Sequence, residues 1–303
     1  MLYTSYQKAI GNTPLVQLSR FNLPQDVALY AKLELANPGG SVKDRVGLAM
    51  IEDAEKRGAL KPGGTIIEGT AGNTGIGIAF AAIGRGYKVI FVVPDKFSGE
   101  KVALLSALGA EIVRTPRSGG MLLAESRAEE LARSIPNSVI LGQFRNPANP
   151  RSHYETTGPE IFDDLKGKVD VFIAGAGSGG TFSGVARYLK EKNPYVRAIL
   201  ADPIGSTMGG GPHGDYNIEG IGNDFIAETM DMSLVDEVIK VSDDEAFSAC
   251  KELAKREGVI AGSSSGAAFV AAQKAIKKGI RGNIVVLFPD RGDRYFSKGL
   301  FTV

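Results

Sequence analysis

Two patterns alternate along the chain: short runs of apolar and β-branched residues, and longer segments in which apolar residues recur every three or four positions. The run 27–33 predicts a buried strand, and the segment 44–57 predicts a helix that ends near Gly58. The alternation continues to residue 141 and starts again after the proline-containing segment 146–150. In full, the patterns predict strands at 27–33, 65–68, 88–93, 111–115, 139–141, 169–174, 196–201, 259–261 and 283–288, and helices at 44–57, 74–83, 98–108, 121–134, 156–165, 181–192, 243–256 and 265–278.

Strands that alternate with helices are typical of parallel sheets with helices packed on both faces. Because the alternation occurs twice, we predict the α/β fold class, with two three-layer αβα domains built on twisted, parallel-type sheets. The two domains are expected at 1–145 and 146–303. Ser242 and Glu245 have the spacing of a capping box, which predicts the start of the helix at 243.

The composition excludes several classes of protein. Hydrophobic residues make up 43% and charged residues 23% of the 303 residues, which excludes a mainly disordered chain. A formal net charge of +1 argues against binding to nucleic acid or to anionic membrane surfaces through overall positive charge. No apolar segment reaches the ~18 residues that a membrane span needs. One cysteine and two histidines exclude a disulfide framework and argue against a metal site. The first residues lack a secretory signal, so we expect a cytoplasmic protein.

Glycine is the unusual component, with 39 glycines among 303 residues, about 13% against a typical ~7%. Glycine is needed where the backbone adopts a positive φ or where another group approaches closely. Three glycine-rich loops follow predicted strands, at 69–75, 175–180 and 262–266. Ligands of open parallel sheets bind beyond the carboxyl ends of the strands, so these loops are candidate binding sites.

The loop 175–181 has the sequence Gly-Ala-Gly-Ser-Gly-Gly-Thr between a predicted strand and a predicted helix. Backbone amides at such a helix start, with the hydroxyls of Ser178 and Thr181, suit a phosphate group. The loop also matches G-x-G-x-x-G, and Asp202 follows about twenty residues later, as in a dinucleotide fingerprint. A tight turn without a ligand and an NAD site therefore both remain open at this point.

Lys43 stands at the start of the helix predicted for 44–57, where the helix dipole opposes a positive charge. It is either a solvated surface lysine or an amine of lowered pKa that can form an imine. The loop 68–75 suits a substrate carboxylate or is a plain turn, and the serines 263–265 either bind a ligand or cap a helix. Cys250 is expected to be a buried apolar side chain, and His153 and His213 are expected to be structural.

Together these segments resemble the cysteine synthase and cystathionine β-synthase family of fold-type II pyridoxal-phosphate (PLP) enzymes. The resemblance covers nearly the whole chain, so the motifs are specific in combination. They are Ile10-Gly11-Asn12-Thr13-Pro14-Leu15, the Ser-Val-Lys-Asp-Arg stretch at 41–45, the Gly-Asn-Thr-Gly loop at 72–75, 143–150, Thr156-Thr157-Gly158-Pro159-Glu160, 175–181, Gly220-Ile221-Gly222, 262–266 and Pro289.

The resemblance implies a tryptophan synthase β-like fold, PLP as the cofactor and no metal. It implies that about 41–145 is a movable substrate-clamp subdomain of the N-terminal domain, that 146–303 binds the PLP phosphate, and that Lys43 is the catalytic lysine bonded to PLP. Amino acids and thiols are the implied small-molecule partners, and the implied assembly is a homodimer. The implied cofactor-binding residues are Lys43, Asn73, Gly177, Ser178, Gly179, Gly180, Thr181, Ser264 and Pro289, and the implied substrate-binding residues are Thr70, Ala71, Gly72, Asn73, Thr74, Gln143 and Gly220.

The implied activity is β-elimination and β-replacement on a β-substituted L-alanine, either O-acetylserine or cysteine, through an α-aminoacrylate to which sulfide or an amino-acid thiol adds. The chain departs from many relatives at Ala71, which removes a hydroxyl, and at Asp224, which stands where a small or apolar residue is common. A carboxylate at 224 would repel hydrosulfide and suit an ammonium group, so Asp224 is a candidate catalytic residue; alternatively it only faces solvent. The alternatives are an L-cysteine lyase that releases hydrogen sulfide and forms lanthionine or serine, an NAD-dependent dehydrogenase, and a non-catalytic binding protein.

Overall fold

The structure is a computed structural model that describes residues 2–70, 72–95 and 99–301. Its strands are β1 (Leu15–Gln17), β2 (Val27–Leu33), β3 (Thr65–Gly69), β4 (Lys88–Pro94), β5 (Glu111–Thr115), β6 (Ser138–Ile140), β7 (Val171–Gly175), β8 (Arg197–Pro203), β9 (Glu237–Val241) and β10 (Gly282–Phe288). Its α-helices are α1 (Lys43–Lys56), α2 (Asn73–Ala82), α3 (Gly99–Ala107), α4 (Gly120–Ser134), α5 (Ala148–Ser152), α6 (Gly158–Asp164), α7 (Gly180–Lys192), α8 (Asp243–Glu257) and α9 (Ser263–Lys277). The chain divides into a first unit, 1–10 with 41–149, and a second unit, 11–40 with 150–303.

The first unit is built on a parallel four-stranded sheet with the strand order β5-β4-β3-β6. Alternate residues of each strand enter different apolar layers, because successive side chains of a strand point to opposite faces. Val89 and Phe91 of β4 pack in the cluster that contains side chains of α1 and α2, while Ile90 and Val92 pack with the α4 side chains. The sheet is therefore the middle of three layers.

The second unit is built on a six-stranded sheet with the order β1-β2-β10-β7-β8-β9, in which only β1 runs antiparallel to its neighbour. Ile173 of β7 packs with side chains of α8 and α9, whereas Phe172 packs with α7 side chains such as Phe182. This unit is again a three-layer αβα arrangement, which confirms the predicted fold class. None of the helices in the described ranges is long and apolar enough to cross a membrane.

The observed elements differ from the predicted ones in four respects. The pattern at 259–261 gives a single bridge, between Ala261 and Arg291, and no strand. The helix predicted to start at residue 156 is preceded by α5, so the helical region begins at Ala148. The Ala148 amide donates to the Asn146 side chain at 2.9 Å, and this bond starts a helix within the proline-containing segment. Between α5 and α6 the chain forms one π-helical turn at His153–Thr157. The strands β1 and β9 were not predicted.

The capping box predicted at the start of α8 is confirmed. The Ser242 amide donates to the Glu245 carboxylate at 2.9 Å, and the Glu245 amide donates to the Ser242 hydroxyl at 3.3 Å. These two bonds satisfy amides that the first helical turn leaves without carbonyl partners.

Candidate functional site

The glycine-rich loop after β7 is shaped by close approach of other backbone. A Cβ on Gly177 would lie 2.5 Å from the Gly220 carbonyl oxygen, and one on Gly179 would lie 2.3 Å from Met230 Cβ. Gly179 also has a φ of +80°, in the left-handed region that favours glycine. The loop leads directly into α7, whose first-turn amides suit an anion, so its residues fit the phosphate group of a cofactor.

Two buried hydroxyl residues, Ser178 and Thr181, belong to this loop. Thr181 Oγ1 lies 3.1 Å from Nε2 of His153, and Nδ1 of the same ring lies 2.9 Å from Thr157 Oγ1. If Nε2–H donates to Thr181, the Thr181 proton can point at a phosphate, and Nδ1 then accepts from the Thr157 hydroxyl. We predicted only a structural role for His153, because its contact with Thr181 spans 28 positions of the chain and no local pattern shows it.

The segment 220–223 runs against the glycine-rich loop 175–181. The Gly222 amide donates to the Ala176 carbonyl at 2.8 Å, and the Asn223 side chain donates to the Gly177 carbonyl at 2.6 Å. The structure thus brings Gly220, a predicted substrate-binding residue, next to the predicted phosphate-binding residues. Asn223 was not predicted to take part.

Asp224 follows directly and is 61% exposed. Its Oδ1 lies 2.9 Å from Nδ1 of His213, which is also mostly exposed. The pKa of the nearby Tyr216 hydroxyl is raised, first by burial and then by the negative charges of Asp224 and Asp202. Asp224 is therefore half of an exposed aspartate–histidine pair, and His213 is a partner that the sequence interpretation left outside the site.

The start of α9 lies against the end of β10. The Gly262 amide donates to the Asp290 carbonyl at 3.0 Å, and a Cβ on Gly262 would lie 2.2 Å from the Asp290 carboxylate. The buried Ser264 lies in the first turn of α9, two residues after Gly262, and Pro289 directly precedes Asp290 in the chain. Both are predicted cofactor-binding residues.

In the first unit, Lys43 is the first residue of α1, and its amide donates to the Ser41 hydroxyl at 3.2 Å. Its backbone position is fixed by α2: a Cβ on Gly77 would lie 2.2 Å from the Lys43 carbonyl oxygen. In the same way, a Cβ on Gly47 would lie 2.4 Å from the Gly77 carbonyl carbon. Two glycines therefore allow the backbones of α1 and α2 to touch next to the predicted catalytic lysine.

The residues predicted to bind a carboxylate cluster at the start of α2. Asn73 is the first residue of this helix, Gly72 is its N-cap, and Thr70 and Thr74 are buried. The Thr74 hydroxyl donates to Gln143 Oε1 at 2.6 Å, so the Gln143 amide nitrogen is the end that can meet an anion. Ala71, also predicted here, lies outside the described residues. The hydroxyl, amide and helix-start donors together fit a carboxylate.

Glu68, the first residue of the loop 68–75, is a buried carboxylate to which the sequence assigned no role of its own. Burial raises its pKa to about 7, since the loss of hydration outweighs the hydrogen bonds from the backbone amides of Gly142, Leu141 and Gln143. The only sequence signal was a charged residue at the end of an otherwise apolar strand, Thr65–Gly69.

Asp202, which the dinucleotide alternative would place on a ribose, is 1% exposed. Its carboxylate forms an ion pair with Lys240 and accepts the Gly209 amide at 3.1 Å. A buried, paired carboxylate cannot reach the ribose of a dinucleotide, so Asp202 does not support the interpretation of the loop as a dinucleotide site.

Comparisons with known proteins agree with this geometry. The model of the pyridoxal-phosphate dependent enzyme family matches residues 6–290. The O-acetylserine dependent cystathionine beta-synthase of Bacillus subtilis is 51% identical over 98% of this chain and 97% of its own length. A cysteine synthase of Helicobacter pylori is 48% identical over 99% of both chains. The crystal structure of a hydrogen sulfide-producing enzyme from Fusobacterium nucleatum, 42% identical, superposes with a TM-score of 0.92 and covers 97% of this chain and 100% of that one.

These matches extend over nearly the full length, and they set aside the NAD-dependent dehydrogenase alternative. The chain is an enzyme with PLP as its cofactor, and it belongs to the pyridoxal-phosphate dependent enzyme family, among the fold-type II enzymes that include cysteine synthase and cystathionine beta-synthase.

Proposed function

We propose that the enzyme carries out β-replacement on O-acetylserine or cysteine and adds sulfide or an amino-acid thiol at the β carbon. Within its family, the chain belongs with enzymes named cysteine synthase and cystathionine beta-synthase. The observation that carries the proposal is the donor set at the start of α2, in which the Thr74 hydroxyl holds Gln143 at 2.6 Å beside Asn73. A set of neutral hydroxyl and amide donors suits the carboxylate of a free amino acid.

Each predicted site residue has a role in this reaction. Bound PLP supplies the electron sink for the carbanion that forms at the substrate Cα. Lys43 would hold the cofactor through its amine and would move the proton at the substrate Cα. Asn73 would donate to the cofactor ring oxygen, and Ser264 would offer the pyridine nitrogen a neutral hydroxyl. An uncharged partner limits charge delocalisation into the ring, which favours loss of the β substituent over transamination.

The remaining assignments concern binding. The amides of Gly177, Gly179 and Gly180, with the hydroxyls of Ser178 and Thr181, would bind the cofactor phosphate. Thr70, Gly72, Thr74, Ala71 and Gln143 bind the substrate carboxylate with Asn73, while Gly220 lies by the substrate amino group and Pro289 by the cofactor.

The proposal also concerns which nucleophile the enzyme prefers, and Asp224 is the residue expected to influence that preference. Its exposed carboxylate beside His213 would repel hydrosulfide and attract the ammonium group of an amino-acid thiol. The same charge would suit a second activity, an L-cysteine lyase that releases hydrogen sulfide and forms lanthionine or serine. The similarity to the hydrogen sulfide-producing enzyme of Fusobacterium nucleatum supports this second candidate.

One experiment tests both candidates. The purified holoenzyme is given O-acetylserine or cysteine as the first substrate and sulfide, cysteine or homocysteine as the second, and products are identified by mass spectrometry. We expect cystathionine, cysteine or lanthionine according to the pair, and sulfide release from cysteine without any turnover of O-acetylserine would identify the lyase. No turnover of any β-substituted alanine would contradict the proposal.

Two variants assign the residues. Lys43→Ala should remove the absorbance near ~410 nm that marks the lysine-bound cofactor, and it should abolish turnover. Asp224→Asn should raise the rate with sulfide relative to the rate with homocysteine. An unchanged ratio of these rates would remove Asp224 from the proposal.

We also propose, on the resemblance alone, that the enzyme is a homodimer that acts in the cytoplasm. Light scattering on the purified protein measures the assembly, and a monomer mass of 32.0 kDa would contradict the dimer.

A further inference from the structure

A buried carboxylate connects two parts of the first unit that are distant in sequence. Glu68 ends the apolar part of β3, and its Oε2 accepts hydrogen bonds from the amides of Leu141 at 3.1 Å and Gly142 at 3.2 Å. The residue is only 6% exposed, so water does not compete strongly for these amides. Glu68 therefore fixes the turn that follows β6.

The same turn is held from its other side by two asparagines. The Asn146 side chain donates to the Leu141 carbonyl at 2.8 Å, and the Asn149 side chain donates to the Gln143 carbonyl at 2.8 Å. Gly142 has a φ of +67°, so the chain reverses sharply at this point. The amides of Leu141 and Gly142 thus bind Glu68, while the carbonyls of Leu141 and Gln143 accept from the asparagine side chains.

This turn carries Gln143, whose side chain accepts the Thr74 hydroxyl at 2.6 Å. We propose that Glu68 is a positioning residue: its carboxylate fixes the turn 141–143 so that Gln143 meets Thr74, and protonation of Glu68 weakens the binding of the substrate carboxylate. The inference rests on the proposed function, in which Gln143 and Thr74 bind that carboxylate.

Charge at Glu68 matters because a carboxylate accepts amide hydrogen bonds more strongly than a neutral carboxyl group. Its pKa is raised to about 7 by burial, so the protonation change falls within the working range of most enzymes. The charged groups that face it belong to other elements: Glu125 on α4 raises the pKa of Glu68, and Glu125 itself is influenced by Arg145 and Glu129. α4 is close, since a Cβ on Gly69 would lie 3.1 Å from Glu125 Cα.

The test measures binding of L-alanine to the holoenzyme from pH 6 to pH 8.5, followed by the change in visible absorbance of the cofactor. L-alanine has the substrate carboxylate but no leaving group, so the readout is an affinity and not turnover. Deprotonation of the amino group of L-alanine also strengthens binding as the pH rises, so the dissociation constants of the variant and the unaltered enzyme are compared at each pH. We expect Glu68→Gln to bind about fivefold more weakly than the unaltered enzyme at pH 8.5 and equally well at pH 6, since only the charged acceptor strengthens the turn.

Two variants serve as controls. Glu125→Gln removes a charge that raises the pKa of Glu68 without touching the turn, so the pH dependence should remain and its midpoint should move to lower pH. This shift tests the inference even if Glu68→Gln fails to fold. Gln143→Ala should weaken L-alanine binding at every pH.

The outcomes distinguish a failure of the positioning role of Glu68 from a failure of the proposed carboxylate site. If Gln143→Ala weakens binding but Glu68→Gln keeps the affinity and pH dependence of the unaltered enzyme, the positioning role of Glu68 is wrong and the proposed function stands. If Gln143→Ala has no effect on L-alanine binding, the carboxylate site itself is wrong, and the inference fails with it.

Discussion

The contact between the backbones of α1 and α2 makes Gly77→Ala an informative change. The added Cβ would lie 2.2 Å from the Lys43 carbonyl oxygen and 2.6 Å from the carbonyl carbon. Ordinary contacts of a Cβ begin near 3.4 Å, so the two helices would have to separate by more than 1 Å at this point. Both atoms are backbone, so no side-chain rotation relieves the clash.

Two opposing effects decide whether Gly77→Ala raises or lowers the free energy of unfolding: helix propensity and overpacking. Alanine inside a helix is ordinarily about 0.5–1 kcal/mol more stable than glycine. Overpacking of a well-packed interior costs about 1–3 kcal/mol. We therefore expect Gly77→Ala to lower the free energy of unfolding by about 1–2 kcal/mol and to displace the start of α1, where Lys43 lies.

Urea unfolding measures the first effect, and the absorbance of the lysine-bound cofactor measures the second. Gly75→Ala is the matched control on the same helix, because its Cβ would meet only side-chain atoms, of Thr70 and Leu105, at 3.1 Å or more. Its stability loss should be smaller. A Gly77→Ala enzyme as stable as the unaltered one, with the same cofactor absorbance, would refute the argument that the helix contact positions Lys43.

Three further predictions concern stability and reactivity. The pKa of Glu68 is about 7 in the folded chain against 4.5 without burial, so between these pH values the folded state binds a proton that the unfolded state does not. This proton stabilises the fold fully below pH 4.5, and the stabilisation, at most ~3 kcal/mol, is lost as the pH rises through 7. Urea midpoints at pH 5 and pH 8 should therefore differ less in Glu68→Gln than in the unaltered enzyme, and equal differences would contradict the assignment. Cys250 is fully buried with a pKa of about 12, so a thiol reagent should label it only on unfolding, and rapid labelling of the native enzyme would disprove this. Ser242→Ala should lose about 1 kcal/mol with the capping box, whereas Ser248→Ala on an exposed position of α8 should change stability by less than ~0.5 kcal/mol.

Local patterns were sufficient for most of the architecture. The apolar run that forms β4 and the capping box that starts α8 were identified with the correct element type, because period and capping are properties of neighbouring residues. The segment 259–261 looked like a strand for the same reason, yet it finds only one bridge partner, Arg291. β-branched residues indicate a local preference for extended backbone, but whether a strand forms depends on pairing with residues that are distant in the sequence.

The site was predicted unevenly for a related reason. Loops such as 175–181 carry their chemistry in consecutive residues, so the sequence displays it. His153 reaches Thr181 across 28 positions, and Glu68 reaches the turn at 141–142 across more than 70 positions. Such contacts depend on strand order and helix packing, which no local pattern encodes. His213 beside Asp224 lies nearer in sequence, but an irregular glycine-rich stretch gives no period from which to place it.

The pairing of β2 with β10 has a consequence for synthesis on the ribosome. Leu33 is the register partner of Phe288, 255 positions later in the chain. At ~5–20 residues per second, β2 leaves the ribosome roughly 10–50 s before its partner exists. During that interval an apolar strand has an edge that could pair with other chains. This nascent segment is therefore where we expect chaperones to bind, and slow elongation over the last hundred residues should lower the yield of folded enzyme.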